Sequence, residues 1–381
     1  MKIDKALADL IKISNTVGKD TKLVQGGGGN TSVKTNDGRF MYIKASGTSL
    51  KDMGKGKGWR MLDIKQVLSI LKDNKLANLD DSSREKKVVK RLSSCCADNL
   101  NKNFRPSIET HLHALLDKYV IHLHPDVVRA YVNSKQGKQR IEKIFSTWRN
   151  PPLWMPYVDP GFMLAKKIAA MIDKYQSRYK RKPAVIFLEK HGLIISSESL
   201  NTSLKLVGQA VKMMRPGLKC PSKPIPKVLP LQEIANVKFA IRKAYYKAAG
   251  KYVPVKFFID STIAGFIKHK NIKKMLSCPA LSPDELIYAN GTPVWLETVN
   301  SEKIAAKLSS QIKKGEKLSK AFLVKDLGLF VTAPEKTADV IRDIVSSSLF
   351  IRCNALSFGG IKSLNKRERD FVNNWESKAF R

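Results

Sequence analysis

Residues 105–132 read RPSIETHLHALLDKYVIHLHPDVVRAYV and hold four of the six histidines of the chain. The run that ends at Leu123 has the apolar character of a buried β-strand, and side chains two apart on a strand face the same way. His122 and His124 therefore project together, while Leu123 faces the opposite side. Pro125 ends the strand and suits the first turn of a following helix. Two neighbouring imidazoles are a natural start for a divalent-metal site, although the pair alone also fits two surface histidines.

Glu109 lies on the predicted helix that precedes this strand. Ser107 is a suitable N-cap for that helix, and Glu109 and His113, four residues apart, share one face of it. A carboxylate just upstream of the histidine pair can serve as a fourth metal ligand or as a proton acceptor. The alternative is an ordinary first-turn glutamate that complements the helix dipole. His111 points at a different helical angle from His113, and we expect no role for it in the site.

A third histidine, His191, stands in the segment EKHG (189–192), between two short apolar runs. Gly192 allows the backbone to bend tightly there, and a histidine at such a strand end points towards a cleft more often than into the core. Three histidine ligands with one open position are typical of a catalytic rather than a structural metal site. The sequence therefore predicts a divalent-metal centre, with Zn²⁺ as the expected metal.

A glycine-rich segment, QGGGGNTS at 25–32, is followed by KASGT at 44–48. Glycine-rich backbone exposes N–H groups that can surround a phosphate. The spacing matches neither a P-loop nor a dinucleotide-binding fingerprint. Taken alone, the segment also fits a flexible turn.

The order of predicted elements divides the chain into two domains joined by a linker. Residues 1–215 alternate helical and strand-like segments, beginning with an amphipathic helix at 1–18. Residues 216–230 contain five prolines, which fix φ and remove backbone donors, so we expect a linker there. Residues 231–381 resume the regular pattern and form the predicted C-terminal domain.

An internal repeat relates the two predicted domains. FLEKHGLIIS at 187–196 aligns with LVKDLGLFVT at 323–332, at a constant offset of 136 residues and with a shared glycine. Leu327 stands where the first copy has His191. We favour duplication over convergence of two strand-turn-strand pieces, because a helical segment follows both copies. The second domain is therefore expected to keep the scaffold and to lack the ligand-type side chain.

The composition is that of a globular protein, since 43% of the residues are hydrophobic. The net charge of +36 fits an anionic substrate, membrane surface or nucleic acid. The basic residues are spread along the chain, however, and no nucleic-acid-binding motif stands out, so we expect no specific nucleic-acid and no membrane partner. No signal peptide, no apolar run of about 20 residues and no cysteine framework is visible, which predicts a cytoplasmic protein.

Together these segments resemble the class II aldolase/adducin family, and most closely the aldolase portion of the bifunctional rhamnulose-1-phosphate aldolase/alcohol dehydrogenases. The resemblance spans nearly the whole chain. The family's short-chain dehydrogenase domain is not expected here, since the chain ends where that domain would begin. The matching blocks are GGGNTSVK (27–34), RPSIETHLHA (105–114), HLHP (122–125), YVDPGFMLAK (157–166), KHGL (190–193), LSPDELIYANGTPVW (281–295) and FGGIKSLNKRERDFVNNWESKAF (358–380).

The resemblance implies an α/β fold: a class II aldolase-like three-layer sandwich with a central, mostly antiparallel sheet, followed by a degenerate second aldolase-like domain. It implies Glu109 as the catalytic acid/base and three metal ligands, His122, His124 and His191. The family's phosphate-binding positions correspond to Gly29, Asn30, Ser46, Gly47 and Ser107. Ile108 stands where simple class II aldolases often carry a second serine. The family's proton-donating tyrosine comes from a neighbouring subunit, and no motif identifies it here.

The implied reaction is the reversible cleavage of a ketose 1-phosphate, similar to rhamnulose 1-phosphate, to dihydroxyacetone phosphate and an aldehyde. The metal would act as a Lewis acid and Glu109 would carry the proton. A sugar-phosphate 4-epimerase or dehydratase using the same metal site is an alternative, as are a non-catalytic adducin-like scaffold and a basic nucleic-acid-binding protein. The expected partners are a phosphorylated sugar and further copies of the chain in a homo-oligomer.

Overall fold

The computed structural model of the chain describes residues 4–98, 104–219 and 223–379, with the backbone alone for residues 375–379. The chain divides into two compact units: the first consists of Met1–Val132, Gln136–Gly217 and Asn374–Arg381, and the second of Asn133–Lys135 and Leu218–Asn373. The division after Gly217 falls near the start of the predicted linker, of which residues 220–222 lie outside the described part. Across the described ranges, no helix combines the length and apolar character that crossing a bilayer requires.

The first unit is built around a seven-stranded sheet. Its strands are β1 (Asn30–Lys34), β2 (Phe40–Lys44), β3 (Trp59–Asp63), β4 (Tyr119–Leu123), β5 (Leu153–Met155), β6 (Val185–Leu188) and β7 (Gly192–Ser197). Its helices are α1 (Lys5–Gly18), α2 (Ile64–Leu71), α3 (Asn74–Ala77), α4 (Asp81–Ser94), α5 (Thr110–Leu115), α6 (Asp126–Val132), α7 (Gly137–Ile144), α8 (Phe162–Tyr179) and α9 (Leu200–Met214).

The strand order is β3-β2-β1-β4-β7-β6-β5, and every neighbouring pair is antiparallel except β5 with β6. The predicted α/β fold with a mostly antiparallel sheet is confirmed. The central strand β4 is buried over its whole length, because strands lie on both sides of it and helices cover both faces. A strand in this position holds its side chains in fixed directions.

Helices on the two faces of the sheet give three layers. The Thr31 hydroxyl on β1 lies 2.6 Å from Ser14 Oγ on α1. The next residue, Ser32, faces the other side, where its hydroxyl lies 2.8 Å from Nδ1 of His113 on α5, because successive side chains alternate along a strand. On the α5 side, apolar residues of α2, α4, α5 and α8 pack with the sheet in one continuous core.

One helix boundary differs from the sequence prediction. The helix expected to begin after Ser107 begins at Thr110, and Glu109 is its N-cap residue. Ser107 instead forms a turn, in which its carbonyl accepts from the Thr110 N–H at 3.1 Å and its hydroxyl from the Glu109 N–H at 3.2 Å. The serine thus satisfies the first backbone donors from outside the helix, and the Glu109 side chain is left to point elsewhere.

The second unit contains a four-stranded sheet with the order β8-β11-β10-β9. Its strands are β8 (Val255–Phe258), β9 (Val294–Leu296), β10 (Ala321–Val324) and β11 (Gly328–Thr332). The helices after the linker are α10 (Leu231–Ala249), α11 (Ser261–Phe266), α12 (Ile272–Ser277), α13 (Pro283–Tyr288), α14 (Ser301–Lys313), α15 (Glu335–Ser357) and α16 (Lys366–Ala379).

This sheet repeats four of the seven strands of the first one. β9 pairs in parallel with β10, which forms an antiparallel hairpin with β11, and β8 lies antiparallel to β11. β5, β6, β7 and β4 have the same order and the same directions. Trp154 lies opposite Phe187, and Trp295 lies opposite Leu323. Leu323 is 136 residues beyond Phe187. The expected degenerate second domain is therefore a half-sheet, without counterparts of β1–β3 among its described residues.

Candidate metal centre and active site

Three histidines meet at one end of the β4–β7 strand pair. His122 lies on β4, His124 directly follows it, and His191 lies in the turn between β6 and β7. The Nε2 atom of His122 is 3.2 Å from Nε2 of His124 and 3.2 Å from Nε2 of His191. The potential ligand atoms of the three residues all lie within 4.8 Å of one another. The structure thus brings the three predicted ligands together.

Backbone groups hold these rings in place. Nδ1 of His122 lies 3.0 Å from the Leu193 carbonyl oxygen, and since a carbonyl only accepts, that nitrogen carries the proton. When this ring is neutral, as it is when it binds a metal, Nε2 carries no proton and its lone pair faces the other two rings, an arrangement common for metal-binding histidines. In the turn, Lys190 has a φ of 56°, and its N–H donates to the Val132 carbonyl at 3.0 Å.

Gly192 is required by the close approach of the turn to the end of β4. A Cβ at this position would lie 2.4 Å from the Leu123 carbonyl oxygen and 2.9 Å from Cδ2 of His124. Because the first contact is with backbone, no side-chain movement relieves it. The missing side chain therefore permits the short distance between His191 and the other two histidines.

The arrangement fits a divalent metal. Ligand atoms about 2.0–2.1 Å from a tetrahedral Zn²⁺ are about 3.4 Å apart, close to the two measured nitrogen separations of 3.2 Å. The donor set consists of imidazoles, which suit Zn²⁺ and related transition metals. Three protein ligands leave at least one coordination position for a substrate oxygen or water. The triad could therefore hold a divalent cation with an open position.

Glu109 lies directly beside the triad. Its Oε2 is 3.5 Å from Nε2 of His122, and its Oε1 is 3.8 Å from Nε2 of His191. The side-chain amide of Asn30 donates to Oε2 at 2.7 Å. Burial opposes ionisation of this carboxyl, but the charges of protonated His122 and His191 and the bond from Asn30 outweigh it and lower its pKa to about 2. Glu109 is thus an ionised carboxylate held beside the imidazoles.

The predicted phosphate-binding residues lie along two connected segments. Asn30 also donates to Ser107 Oγ at 3.2 Å. The Ser46 N–H donates to the Arg105 carbonyl at 2.8 Å, so the segment that begins at Ser46 runs beside the turn that contains Ser107. Gly47 has a φ of 80°, and a Cβ there would meet open space. This side of the Gly47 backbone is therefore accessible to a ligand.

Gly29 and Lys44 complete this region. Gly29 has a φ of 63°, and a Cβ there would lie 2.8 Å from the His122 carbonyl oxygen, so the glycine loop lies close against β4. The buried Lys44 donates from Nζ to the Gly27 carbonyl at 2.9 Å. Lys44 is not among the residues predicted to bind phosphate, although its place on the strand that precedes Ser46 and Gly47 was a signal. It places a cation at the glycine loop.

The two other histidines of the 105–132 segment are buried and neutral. Burial lowers the pKa of His111 to about 3, and its ring packs edge-on against Phe162 with the centroids 6.2 Å apart. Burial also lowers the pKa of His113 to about 3, although Glu109 opposes the shift. His111 thus lies in the core against α8. His113 bonds to Ser32, a contact not predicted from the sequence, although Ser32 lies in the glycine-rich segment and His113 in the histidine-rich one.

Three comparisons relate this chain to known proteins. The family model described as "Class II Aldolase and Adducin N-terminal domain" matches residues 8–215. The protein named "Uncharacterized oxidoreductase YuxG" from Bacillus subtilis (strain 168) is 27% identical over 332 residues, which are 82% of this chain and 45% of that protein. The chain therefore spans less than half the length of this relative.

Among solved structures, the N-terminal class II aldolase domain of a conserved protein from Thermoplasma acidophilum is 28% identical. The match covers 57% of this chain and 95% of that one, with a TM-score of 0.45. The L-fuculose-1-phosphate aldolase from Thermus thermophilus is 14% identical, with 55% of this chain and 91% of that one covered and a TM-score of 0.34.

Proposed function

The chain belongs to the class II aldolase and adducin family, and we propose that it is a metal-dependent aldehyde-lyase. The proposed reaction is the reversible cleavage of a ketose 1-phosphate, similar to rhamnulose 1-phosphate, to dihydroxyacetone phosphate and an aldehyde. One observation carries the proposal: the Glu109 carboxylate lies 3.5 Å from Nε2 of His122 and 3.8 Å from Nε2 of His191. These histidines belong to a triad in which Nε2 of His122 is 3.2 Å from each of the other two Nε2 atoms. A scaffold protein needs neither the triad nor the carboxylate.

His122, His124 and His191 are the proposed ligands of one divalent cation, for which we expect Zn²⁺. The bound cation would supply Lewis-acid chemistry, polarising the ketose carbonyl and lowering the energy of negative charge that develops on its oxygen. The protein's own contribution is to fix the three rings. The Leu193 carbonyl orients His122, and the Lys190 turn orients His191.

Glu109 is the proposed acid/base. In the condensation direction it would accept the proton that leaves the reacting carbon of dihydroxyacetone phosphate, and in the cleavage direction it would return that proton to the same carbon. Because its pKa is low, the carboxyl is ionised at neutral pH and has a lone pair available for this proton. The Asn30 amide bonds to Oε2 at 2.7 Å and leaves Oε1 with no hydrogen bond from the described residues. Oε1 is therefore the oxygen we assign to proton transfer.

The substrate phosphate is proposed to bind along the Gly29 and Ser46 segments. Gly29, Asn30, Ser46, Gly47 and Ser107 supply backbone N–H groups, hydroxyls and an amide, which are the donors that surround phosphates in proteins. Lys44 adds a buried cation at the glycine loop. This set of donors favours a phosphorylated over an unphosphorylated ketose, because a phosphate accepts charge-assisted hydrogen bonds that a free hydroxyl cannot.

The test is a substrate panel on protein that has been stripped of metal and reloaded with Zn²⁺, Mn²⁺ or Co²⁺. We expect dihydroxyacetone phosphate from ketose 1-phosphates, detected by a coupled reductase, and much slower release of dihydroxyacetone from the unphosphorylated ketoses. Chelation should stop the reaction and metal should restore it. NMR of the mixtures identifies the alternatives: an epimer or a dehydrated sugar would assign the same site to a different reaction. No turnover and no metal uptake would favour an adducin-like scaffold.

A further inference from the structure

Three alternate residues of β1 bond to successive parts of α5. Asn30 donates to Glu109 Oε2, the Ser32 hydroxyl lies 2.8 Å from Nδ1 of His113, and Lys34 Nζ donates to the carbonyls of Ala114, at 2.9 Å, and Leu116. These contacts run from the N-cap residue of the helix to its last turn. We call Asn30, Ser32 and Lys34 the β1 ladder.

The spacing of the ladder matches the geometry of the two elements. Residues two apart on a strand are separated by about 6.7 Å, and residues four apart on a helix by about 6 Å along its axis. Asn30 and Ser32 can therefore bond simultaneously to Glu109 and His113. Lys34 reaches the carbonyl end of the helix, where donors are lacking within the helix itself. A period-two pattern of polar residues on a sheet face thus matches the four-residue repeat of a helix.

Tertiary contacts must set the position of α5, because the helix has only six residues. Isolated helices shorter than about 12–15 residues are marginal in water, so α5 does not hold its own place. Its apolar face packs into the core through Leu112, but apolar packing is non-directional. The bonds of the ladder are directional, and Ser32 and His113 are both buried without exposure to solvent. These bonds fix the position of α5 along its axis and its rotation about that axis, and Glu109 is the N-cap residue of this helix.

We propose that Ser32, His113 and Lys34 are positioning residues that hold the Glu109 carboxylate at its distance from the histidine triad. This inference rests on the proposed role of Glu109 in a lyase. The three residues act through Glu109. The Ser32–His113 bond holds α5 one turn after Glu109, and Lys34 holds the C-terminal end of the helix. None of the metal ligands lies on α5. Loss of the Ser32–His113 bond should therefore leave the ligands in place and make only the position of the Glu109 carboxylate less defined.

Ser32→Ala is the primary test, and Ser14→Ala is its matched control. Each variant removes one buried hydroxyl that forms a hydrogen bond between β1 and a helix. Ser32 bonds to α5, whereas Ser14 lies on α1 and bonds to Thr31 on the opposite face of the strand. We expect Ser32→Ala to lower kcat by about 10- to 100-fold, the size of a displacement of roughly 1 Å in a catalytic group. KM and the metal content should stay within about twofold of the wild type, and Ser14→Ala should leave kcat unchanged.

A second pair of variants separates positioning from general packing. His113→Asn keeps a nitrogen near the place of Nδ1 and should recover much of the activity that His113→Leu loses. In Co²⁺-loaded protein, the visible ligand-field spectrum reports the charge and position of the carboxylate beside the metal without any turnover. We expect this spectrum to change in Ser32→Ala and His113→Leu, to stay near wild type in His113→Asn and to match wild type in Ser14→Ala.

The outcomes distinguish this inference from the proposed function. If wild-type protein cleaves no ketose phosphate, the lyase proposal fails, and the Co²⁺ spectra alone decide whether the ladder positions Glu109. If Ser32→Ala and Ser14→Ala have equal kcat values and identical Co²⁺ spectra, the ladder has no positioning role. Should Ser32→Ala not fold, the comparison of His113→Asn with His113→Leu replaces it, and equal spectra in that pair overturn the inference.

Discussion

Leu327 occupies in the second sheet the position that His191 occupies in the first. Each follows a residue with left-handed backbone, Lys190 with a φ of 56° and Asp326 with a φ of 59°. Each precedes the glycine that begins the second strand of its hairpin. The left-handed residue and the following glycine thus recur in both turns, while an apolar side chain stands in the second where the first has an imidazole. A left-handed turn of this kind therefore does not require a histidine at this position.

A second ligand position is replaced in the same way. His122 on β4 lies opposite Ile194, and Phe257 on β8 lies opposite Phe330, which is 136 residues beyond Ile194. A phenyl ring therefore stands where the first sheet has its central imidazole. Within the described ranges, the histidine triad of the first unit is the one group of three potential ligands with metal-binding spacing. The second sheet retains the frame of the site without its donors.

We predict about one divalent metal per chain, because only the first unit carries the triad. His191→Leu, which copies the residue at the equivalent position of the second unit, removes a direct ligand and should lower metal affinity by more than the roughly 10- to 100-fold that loss of a ligand's hydrogen-bond partner costs. Elemental analysis of freshly purified protein and competition with a chromophoric chelator measure both quantities. His269→Ala is the control, since His269 lies on the second unit, and it should keep one metal. Two metals per chain would contradict the assignment.

Glu109→Gln should keep the metal and lose turnover. The amide preserves the shape of the side chain and cannot accept the proton, and general-base contributions are typically about 10²- to 10⁴-fold in rate. Steady-state kinetics and metal analysis of the same preparation test this prediction. Glu198→Gln, at an exposed position in the same unit, should have the wild-type rate. A rate near wild type in Glu109→Gln would remove this residue from the mechanism.

Gly192→Ala should weaken both the fold and the metal site. Its Cβ would lie 2.4 Å from the Leu123 carbonyl oxygen, so β7 must move away from β4, at a cost of about 1–3 kcal/mol by analogy with overpacked cores. Gly208→Ala is the control: it lies on α9, a Cβ there meets nothing within 4 Å, and it should be stabilising by about 0.4–1 kcal/mol. Chemical denaturation and metal titration compare the two variants, which should change stability in opposite directions.

Glu85 should make the first unit less stable as the pH rises. Burial raises the pKa of this carboxyl to about 7, although Arg84 beside it opposes the shift. A raised pKa means that the folded state prefers the protonated form. The contribution of Glu85 to stability is therefore greatest below the unfolded-state pKa of about 4.3, falls as the pH rises towards 7 and levels off above it.

Glu85→Gln should remove this part of the pH dependence. The free energy of unfolding of the variant, relative to wild type, should increase between pH 5 and pH 8, by an amount on the order of 3 kcal/mol at most. Urea denaturation across that range measures the difference, with Glu198→Gln as an exposed control. A constant difference between variant and wild type at all pH values would show that folding does not shift the pKa of Glu85.

Local patterns in the sequence were sufficient to predict much of the fold. The period-two placement of His122 and His124 predicted that both project from one side of β4, because alternation is a property of any strand. The 136-residue repeat predicted a second hairpin with the turn of the first. These features depend on neighbours within about ten residues, and such short-range geometry is nearly independent of the rest of the chain.

The distances between segments that are far apart along the chain could not be predicted from such local patterns. Ser107 has the right residue type for a helix cap, yet it forms the turn before α5, where it accepts from the backbone N–H groups of Glu109 and Thr110. The bond between Ser32 and His113 joins residues 81 positions apart. The sequence alone specified which residues share a face of a strand or a turn of a helix. Which faces meet, and at what distance, was set by the pairing of β1 with β4 and by the packing of α5 in the core, since those contacts form between segments far apart along the chain.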